Sequence, residues 1–395
     1  MPFSIAIDAR KADDFGIGSY IRNLVAALAE IDHTNRYVLL VRHQGEDQLG
    51  PLPENFHTLV ERAPVYSIRE LLALSWRLLR VRVDLYHATH YVLPAFVPCR
   101  AVVTIHDIIH ILYPSFLPNR LAFYYAQRMI RRSLARSDRI LAVSENTKTD
   151  LVGYFDVDPR SIEVIHNGVE DVYRRALEPE ELERWMQVLG LRQPYLLFVG
   201  NPKPHKNLDN VVKAYARARQ LCTFDAPLVC VGAREGSDFK IRQRAEQLGV
   251  GDHVRLLGHV AREALPAIYQ GAMHFLYPTL YEGFGLPVVE AMASRVPVIT
   301  SNTSALKEVA EGYAHLVDPL DVEGMAKAIA HCLADEEHRQ ALSKLGYRRS
   351  QDFQWRGAAE RTLNVYRRVL GAAAGSEADG EGAPAAGSDE RRLTG

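Results

Sequence analysis

Pro278-Thr279-Leu280-Tyr281-Glu282-Gly283-Phe284-Gly285-Leu286-Pro287-Val288-Val289-Glu290-Ala291-Met292-Ala293 reads as a strand end, a turn and a helix. The apolar run Met273-His274-Phe275-Leu276-Tyr277 precedes it, and Gly283 and Gly285 supply the bend. Pro287 falls in the first helical turn, where its missing amide has no partner to lose. Glu282 then stands just before the helix and Glu290 about two turns inside it. Positions eight apart differ by roughly 80° around a helix, so both carboxylates can face one cleft. Between them the amides of Phe284, Gly285 and Leu286 point outward at the positive end of the helix dipole, which suits a phosphate. Two carboxylates flanking a phosphate nest fit a sugar, a diphosphate and a ribose: the outline of a nucleotide sugar.

Outward from that stretch, short apolar runs alternate with helix-period segments, the pattern of parallel sheets covered on both faces. Strands are expected at Ser4–Asp8, Tyr37–Arg42, Val83–His87, Ala101–His106, Arg139–Val143 and Ile162–His166 in the first half. In the second half they are expected at Tyr195–Gly200, Leu228–Gly232, Val254–Leu257, His274–Tyr277, Pro297–Thr300 and His315–Asp318. The fold class implied is α/β, two doubly wound Rossmann-like domains facing a central cleft, over 1–175 and 190–350. A final helix covers 351–370. From Gly371 the chain turns to Ala, Gly, Ser, Asp and Glu, and 371–395 is expected to be a disordered tail.

A chain of 395 residues is too long for one ordinary core, and 47% hydrophobic with 24% charged residues is the balance of a soluble globular protein. A formal net charge of -1 argues against nucleic-acid binding, which favours a basic excess. Cys99, Cys222, Cys230 and Cys332 are scattered, so no zinc site or disulfide framework is indicated. The start lacks a basic segment followed by an apolar one, and no run approaches the ~20 apolar residues of a membrane span. A cytoplasmic location is the expectation.

The Glu282-to-Glu290 string closely resembles the Glu-x7-Glu signature of the family-four retaining glycosyltransferases of GT-B architecture, including its Gly-Phe-Gly-Leu-Pro. The resemblance implies that 1–175 is the acceptor-side domain, that 190–350 holds the nucleotide sugar, and that 351–370 crosses back to brace the first domain. It further implies that Glu282 contacts the donor sugar and Glu290 the ribose. No cofactor is implied beyond the donor substrate, GDP- or UDP-linked, and the partners are that donor and a sugar or lipid-linked glycan acceptor.

Other motifs fall into place around this reading. The loop Gly16-Ile17-Gly18 after the first strand lacks the third glycine of a dinucleotide fingerprint, Ile21 standing there. It resembles the family's glycine loop, which approaches the donor phosphate. His106-Asp107 ends a central strand and resembles the family's His-Asp segment beside the reacting sugar, so His106 joins Glu282 and Lys206 as the catalytic set. Asp107, His87 and His90 are read as acceptor-side or structural residues, with no metal ligands among them. In Gly200-Asn201-Pro202-Lys203-Pro204-His205-Lys206, the two lysines are placed to neutralise a leaving diphosphate. Many family members carry Arg where this chain has Asn201, and Lys203 is read as the substitute. Lys206-Asn207-Leu208 resembles the mannosyltransferases that use GDP-mannose.

Asp156-Val157-Asp158 imitates a metal-binding Asp-x-Asp but sits in a turn, and Asn302-Thr303-Ser304 is a glycosylation sequon in form only. Two arginine-rich apolar stretches, Arg69–Arg82 and Arg120–Arg139, read first as core-facing helices. Together they also fit peripheral contact with an anionic membrane. The expected activity is transfer of a hexose, mannose favoured, to a hydroxyl acceptor in cell-envelope or exopolysaccharide synthesis. The alternatives are a nucleotide-sugar epimerase of the same fold or a non-catalytic nucleotide-sugar-binding module.

Overall fold

The computed structural model describes residues 2–42, 49–117, 119–232 and 238–378. Strands β1 (Ser4–Asp8), β2 (Arg36–Val41), β3 (Phe56–Val60), β4 (Leu85–Ala88), β5 (Arg100–Ile105), β6 (Arg139–Ala142) and β7 (Ile162–Val164) form one sheet in the order β3-β2-β1-β4-β5-β6-β7. A second sheet contains β8 (Leu196–Val199), β9 (Leu228–Val231), β10 (Val254–Gly258), β11 (His274–Tyr277), β12 (Val298–Ser301) and β13 (His315–Val317). Its order is β10-β9-β8-β11-β12-β13. Every pairing is parallel. Strands β4, β9, β11 and β12 are buried at every position because helices cover both faces of each sheet, which is why they read as unbroken apolar runs.

Strand β3 is the element the sequence pattern does not announce. It is an edge strand whose His57 and Thr58 are exposed, so it carries too few apolar residues to stand out. The remaining strands fall on the expected runs to within two residues at either end.

The first sheet has a core on each face. On one, Leu24 and Leu28 of the helix Gly16–Ile31 pack with Ala359, Leu363 and Tyr366 of the helix Trp355–Ala378. On the other, Leu74 and Leu78 of the helix Ile68–Val81 join Ile130 and Leu134 of the helix Arg120–Arg136. The last helix, which begins beyond the second sheet, thus lies on the first. It runs past Gly371 to Ala378, where the sequence reading begins the tail; Ala372-Ala373-Ala374 are strong helix formers and extend it. Residues 379–395 lie outside the described residues. Among those described, no helix is long and apolar enough to cross a membrane.

Strand order reverses between β1 and β4 in the first sheet and between β8 and β11 in the second. In open parallel sheets such reversals leave crevices at the carboxyl ends of the strands, where ligands bind. The loops leaving β4, β8 and β11 carry His90, Lys203 and Lys206, and Glu282, and the loop leaving β1 runs into the helix that Gly16 and Gly18 begin.

Candidate active site

Strand β11 ends at Tyr277, and the chain turns through Pro278–Gly285 into the helix Leu286–Ala293. Gly285 caps that helix at φ 103°, a backbone region closed to most side chains. The amides of Phe284, Gly285 and Leu286 make no hydrogen bond among the described residues. The Phe284 ring is buried and packs edge-on against Phe353, so this residue offers a ligand only its backbone.

Next to this turn, β8 leads through Gly200 and Asn201 to Lys206. The Lys206 ammonium lies 2.8 and 3.0 Å from the two carboxylate oxygens of Glu282 and donates to the Tyr277 hydroxyl at 2.8 Å. Burial alone would drive the proton off, but Glu282 and Tyr277 outweigh it, and the ammonium is held well above its ordinary pKa. Lys203 is exposed, and its charge bears on His110 and His205. The side-chain oxygen of Asn201 is buried without a hydrogen-bond partner among the described residues. Glu290 accepts from the Tyr269 hydroxyl at 2.9 Å. Burial pushes its carboxyl up to about 7, with Tyr269 and Arg262 opposing and Glu170 adding to the rise.

The first domain meets this surface directly. A methyl group on Gly283 would stand 1.8 Å from the His106 carbonyl oxygen and 3.0 Å from Cβ of Asp107. Only glycine allows that approach. The Ser144 hydroxyl donates to the Gly283 carbonyl at 2.7 Å, and Thr147 donates to the His106 carbonyl at 3.2 Å. Ser144 also caps the helix Glu145–Phe155. From the helix Ser304–Ala310 of the second domain, Glu308 accepts the amides of Glu145 and Asn146 at 3.1 Å each and pairs with His166 at 2.7 Å. The Glu-x7-Glu turn is therefore clamped between domains. Ser144, Thr147, Glu308 and Tyr277 are site residues that sequence reading passed over. The only signal was the Ser-x-x-Thr cap at the carboxyl end of β6, which looks like any helix start.

His106 bonds the Thr89 carbonyl through Nε2 at 2.9 Å and lies edge-on to Tyr20. A carbonyl only accepts, so Nε2 carries the proton and Nδ1 is left as an acceptor. Burial lowers the ring to about pKa 4, with the Thr89 bond opposing and the charges of His90 and Lys11 adding to the fall. Asp107 accepts the Ile109 amide at 3.0 Å, and burial raises its carboxyl, with Glu282 adding to the rise. Gly16 opens the helix Gly16–Ile31 on the exposed side, and Gly18 is buried one turn in.

His87 does not belong to the acceptor side. It is fully buried, with Nδ1 2.6 Å from the Tyr366 hydroxyl and Nε2 2.7 Å from Thr104, so it ties the last helix to the first sheet. Burial, helped by the charge of His106, drops it to about pKa 3. Its place at the end of an inward-facing strand, not its chemistry, made it look like a cleft residue. His90 is also buried, beside Asp8 and Glu70. Those three could be taken for a metal centre, but Arg10 lies within 2.7 Å of both carboxylates and fills the role of the cation. A second group, His315, Cys332 and His338, involves the start of β13, at the opposite end of the sheet from the cleft. Asp158 bonds Arg160 in an exposed turn.

Residues 16–173 match the family described as Glycosyltransferase Family 4, and residues 180–349 the family described as Glycosyl transferases group 1. O-antigen chain mannosyltransferase B of Escherichia coli is 30% identical over 367 residues, spanning 89% of this chain and 96% of that one. Among solved structures, sucrose-phosphate synthase from Thermosynechococcus elongatus matches with a TM-score of 0.77 at 21% identity, covering 94% of this chain and 100% of that one. Anabaena HepE, in complex with UDP and glucose, matches at 0.75 and 18%, covering 93% and 100%. At those identities the two structures speak for the fold.

Proposed function

The chain belongs to the family 4 glycosyltransferases and has their GT-B fold, and from that premise we propose that it transfers mannose from GDP-mannose to a hydroxyl of a glycan acceptor, with retention of anomeric configuration. The Escherichia coli relative is named a mannosyltransferase, and HepE was solved with a nucleotide and a sugar. The observation that carries the reading is the convergence of Lys206, Glu282 and the free amides of 284–286 on one side of the cleft, with His106 and Asp107 pressed against Gly283 on the other.

In this reading the diphosphate sits at the start of the helix Leu286–Ala293, facing the amides of Phe284, Gly285 and Leu286 and the ammonium of Lys206. Lys203 and the glycine loop at Gly16 and Gly18 complete the enclosure, and Gly200 and Asn201 border it. Glu290 holds the ribose and Glu282 the hydroxyls of the sugar, while Nδ1 of neutral His106 accepts from the sugar. As the bond to the diphosphate breaks, these fixed donors meet charge where it develops, without reorganising. The two glutamates are not an acid and nucleophile pair of the glycosidase kind. Lysine and helix amides suffice for the diphosphate, so turnover needs no divalent metal.

The acceptor is a cell-envelope or exopolysaccharide precursor met at the membrane surface. Leu72, Trp76 and Leu79 form an exposed apolar stripe on the helix Ile68–Val81, and Arg80 stacks 3.5 Å over the Trp76 ring. The loop carrying exposed Phe96 links this helix to Arg120–Arg136, through Ala95 to Leu71 and Arg132 to Pro94. The decisive experiment is thermal shift with a panel of GDP- and UDP-sugars, followed by nucleotide release with and without an α-mannoside acceptor. Stabilisation by GDP-mannose and acceptor-dependent release of GDP are expected. Stabilisation by UDP-sugars alone would remove the donor assignment.

A further inference from the structure

The interior of the first domain holds an ion network that touches none of the reacting groups described above. Arg10 folds back from the end of β1 and grips Asp8 through Nε at 2.8 Å and Nη2 at 2.6 Å. The same Nη2 reaches Glu70 at 2.7 Å, and Tyr86 donates to Asp8 at 3.0 Å. Asp8, Arg10 and Glu70 are buried to within 1%. Taking such groups out of water is costly, and an apolar core of the same volume often serves stability as well.

What the network holds in place is Tyr66. The second oxygen of Glu70 accepts the Tyr66 amide at 2.5 Å, and Tyr66 has φ 61°. A tyrosine in the left-handed region is strained and persists only where its surroundings over-determine it, as they do at binding sites. Its ring stacks on Tyr91 at 5.7 Å and 29° and meets His90 edge-on at 5.9 Å. Lys11 donates to its hydroxyl at 3.0 Å and is itself paired with Asp14 at 2.6 Å. Despite these contacts the residue remains 39% exposed. Asp107 connects it to the reacting centre: its Cβ borders Gly283, beside Glu282, and its charge is felt by both Tyr66 and Tyr91.

The Lys11 ammonium also lies 4.7 Å from the centre of the ring. We propose that Tyr66 is the platform the acceptor packs against, a pyranose lying on the exposed part of the residue while Lys11 and Asp107 reach the hydroxyls. This rests on the transferase reading and specifies its acceptor side. The chemistry selects a neutral glycosyl unit. Lys11 is already paired with Asp14 and Asp107 is itself an acid, so among the described residues that hold the platform a phosphorylated acceptor meets no unpaired lysine or arginine.

The test pairs Tyr66→Gly with Tyr66→Phe in the full chain. Glycine adopts φ 61° without strain, so Tyr66→Gly should fold, which its Tm checks. Saturation-transfer NMR with methyl α-D-mannopyranoside reads sugar contact without turnover. Ring-proton saturation is expected in wild type and Tyr66→Phe, and a fall of about tenfold or more in Tyr66→Gly. The thermal shift produced by GDP-mannose should be the same in all three. Equal saturation in Tyr66→Gly and wild type, or none in wild type, overturns the proposal. Saturation that depends on Tyr66 without any GDP-mannose shift would uphold the platform and remove the donor reading instead.

Discussion

The Lys206 ammonium and the Glu282 carboxylate, 76 residues apart in sequence, meet at 2.8 Å where the loops leaving β8 and β11 converge. The pairing gives the lysine two duties. In the structure its charge is held by Glu282 and Tyr277; in the proposed function it faces the leaving diphosphate while Glu282 turns to the sugar. Removing it takes away a fixed cation and leaves Glu282 half-buried without its partner.

Lys206→Ala should therefore lower kcat for transfer by about 10²-fold or more, the scale of losing one transition-state donor. Tyr277→Phe, which removes one neighbour of the ammonium and no charge, should cost far less. Initial rates of GDP release with GDP-mannose and an α-mannoside measure both. A Lys206→Ala enzyme that keeps its kcat would move the phosphate site elsewhere.

Gly283→Ala tests the closed cleft. The new methyl would lie 1.8 Å from the His106 carbonyl oxygen, a backbone atom that cannot rotate away. The second domain should fold and bind nucleotide as before, with Kd within about threefold. The turn and the His106 segment would be forced apart by roughly an ångström, and such a misplacement costs about 10²-fold in rate. Calorimetry with GDP beside steady-state turnover separates the two effects.

Glu290 sets a pH dependence. Its carboxyl titrates at about 7 in the folded chain against an ordinary 4.5, because burial disfavours the charge. A raised acid pKa means that the native state holds the proton more tightly, so stability falls as pH rises from about 4.5 through 7. Ribose binding runs the other way if the carboxylate is the acceptor, and nucleotide affinity should rise across the same interval. Glu290→Gln should flatten both slopes, read by denaturant titration and by GDP binding at several pH values.

Much of this site was legible because its residues lie at strand ends, where apolar runs stop and chemistry begins. The turn Glu282–Leu286, Lys206 and His106 each follow a clear run, and the fold brings the three segments together. His87 also follows one, but an inward-facing strand position delivered it to Tyr366. What stayed hidden were contacts between segments remote in sequence. Ser144 and Glu308 look like ordinary helix-start and helix-surface residues until the domains meet, and Tyr66 owes its place to a φ angle that no residue pattern signals. Edge strand β3 was missed for a simpler reason, its solvated face.

Glu308 should contribute to closure. It places a carboxylate at the amino end of the helix Glu145–Phe155, where both the dipole and the free amides favour it. Burial pushes its pKa up, but His166 and the two amides overcome that and hold it below the ordinary range. Its contribution is therefore present above the ordinary carboxylate pKa and is lost as acid protonates it through the lowered value. Glu308→Ala should destabilise the chain by about 1–2 kcal/mol, as losing a good cap does. Turnover should fall more than GDP binding, since on the proposed reading the leading nucleotide contacts, Lys206, Glu290 and the amides of 284–286, all come from the second domain. Equal turnover would make Glu308 a cap and nothing more.

The exposed stripe bears on where the acceptor is met. Leu74 and Leu78 of the helix Ile68–Val81 face the core, so Leu72, Trp76 and Leu79 on its outer side are not needed for folding. Arg80 beside Trp76, with exposed Arg128, Arg131 and Arg136 on the neighbouring helix, gives that surface the charge that anionic lipid attracts. Tyr66 lies just before the same helix, so a membrane-facing stripe brings lipid-linked glycans to the acceptor platform. Vesicles with anionic headgroups should sediment the protein at low salt and release most of it above 0.1 M, where screening cuts the reach of the arginines to below ~10 Å. Trp76→Ser should weaken binding at every salt concentration without changing turnover of a water-soluble α-mannoside. Binding that survives molar salt would mean insertion of the stripe, and no binding at all would leave a water-soluble glycan as the acceptor.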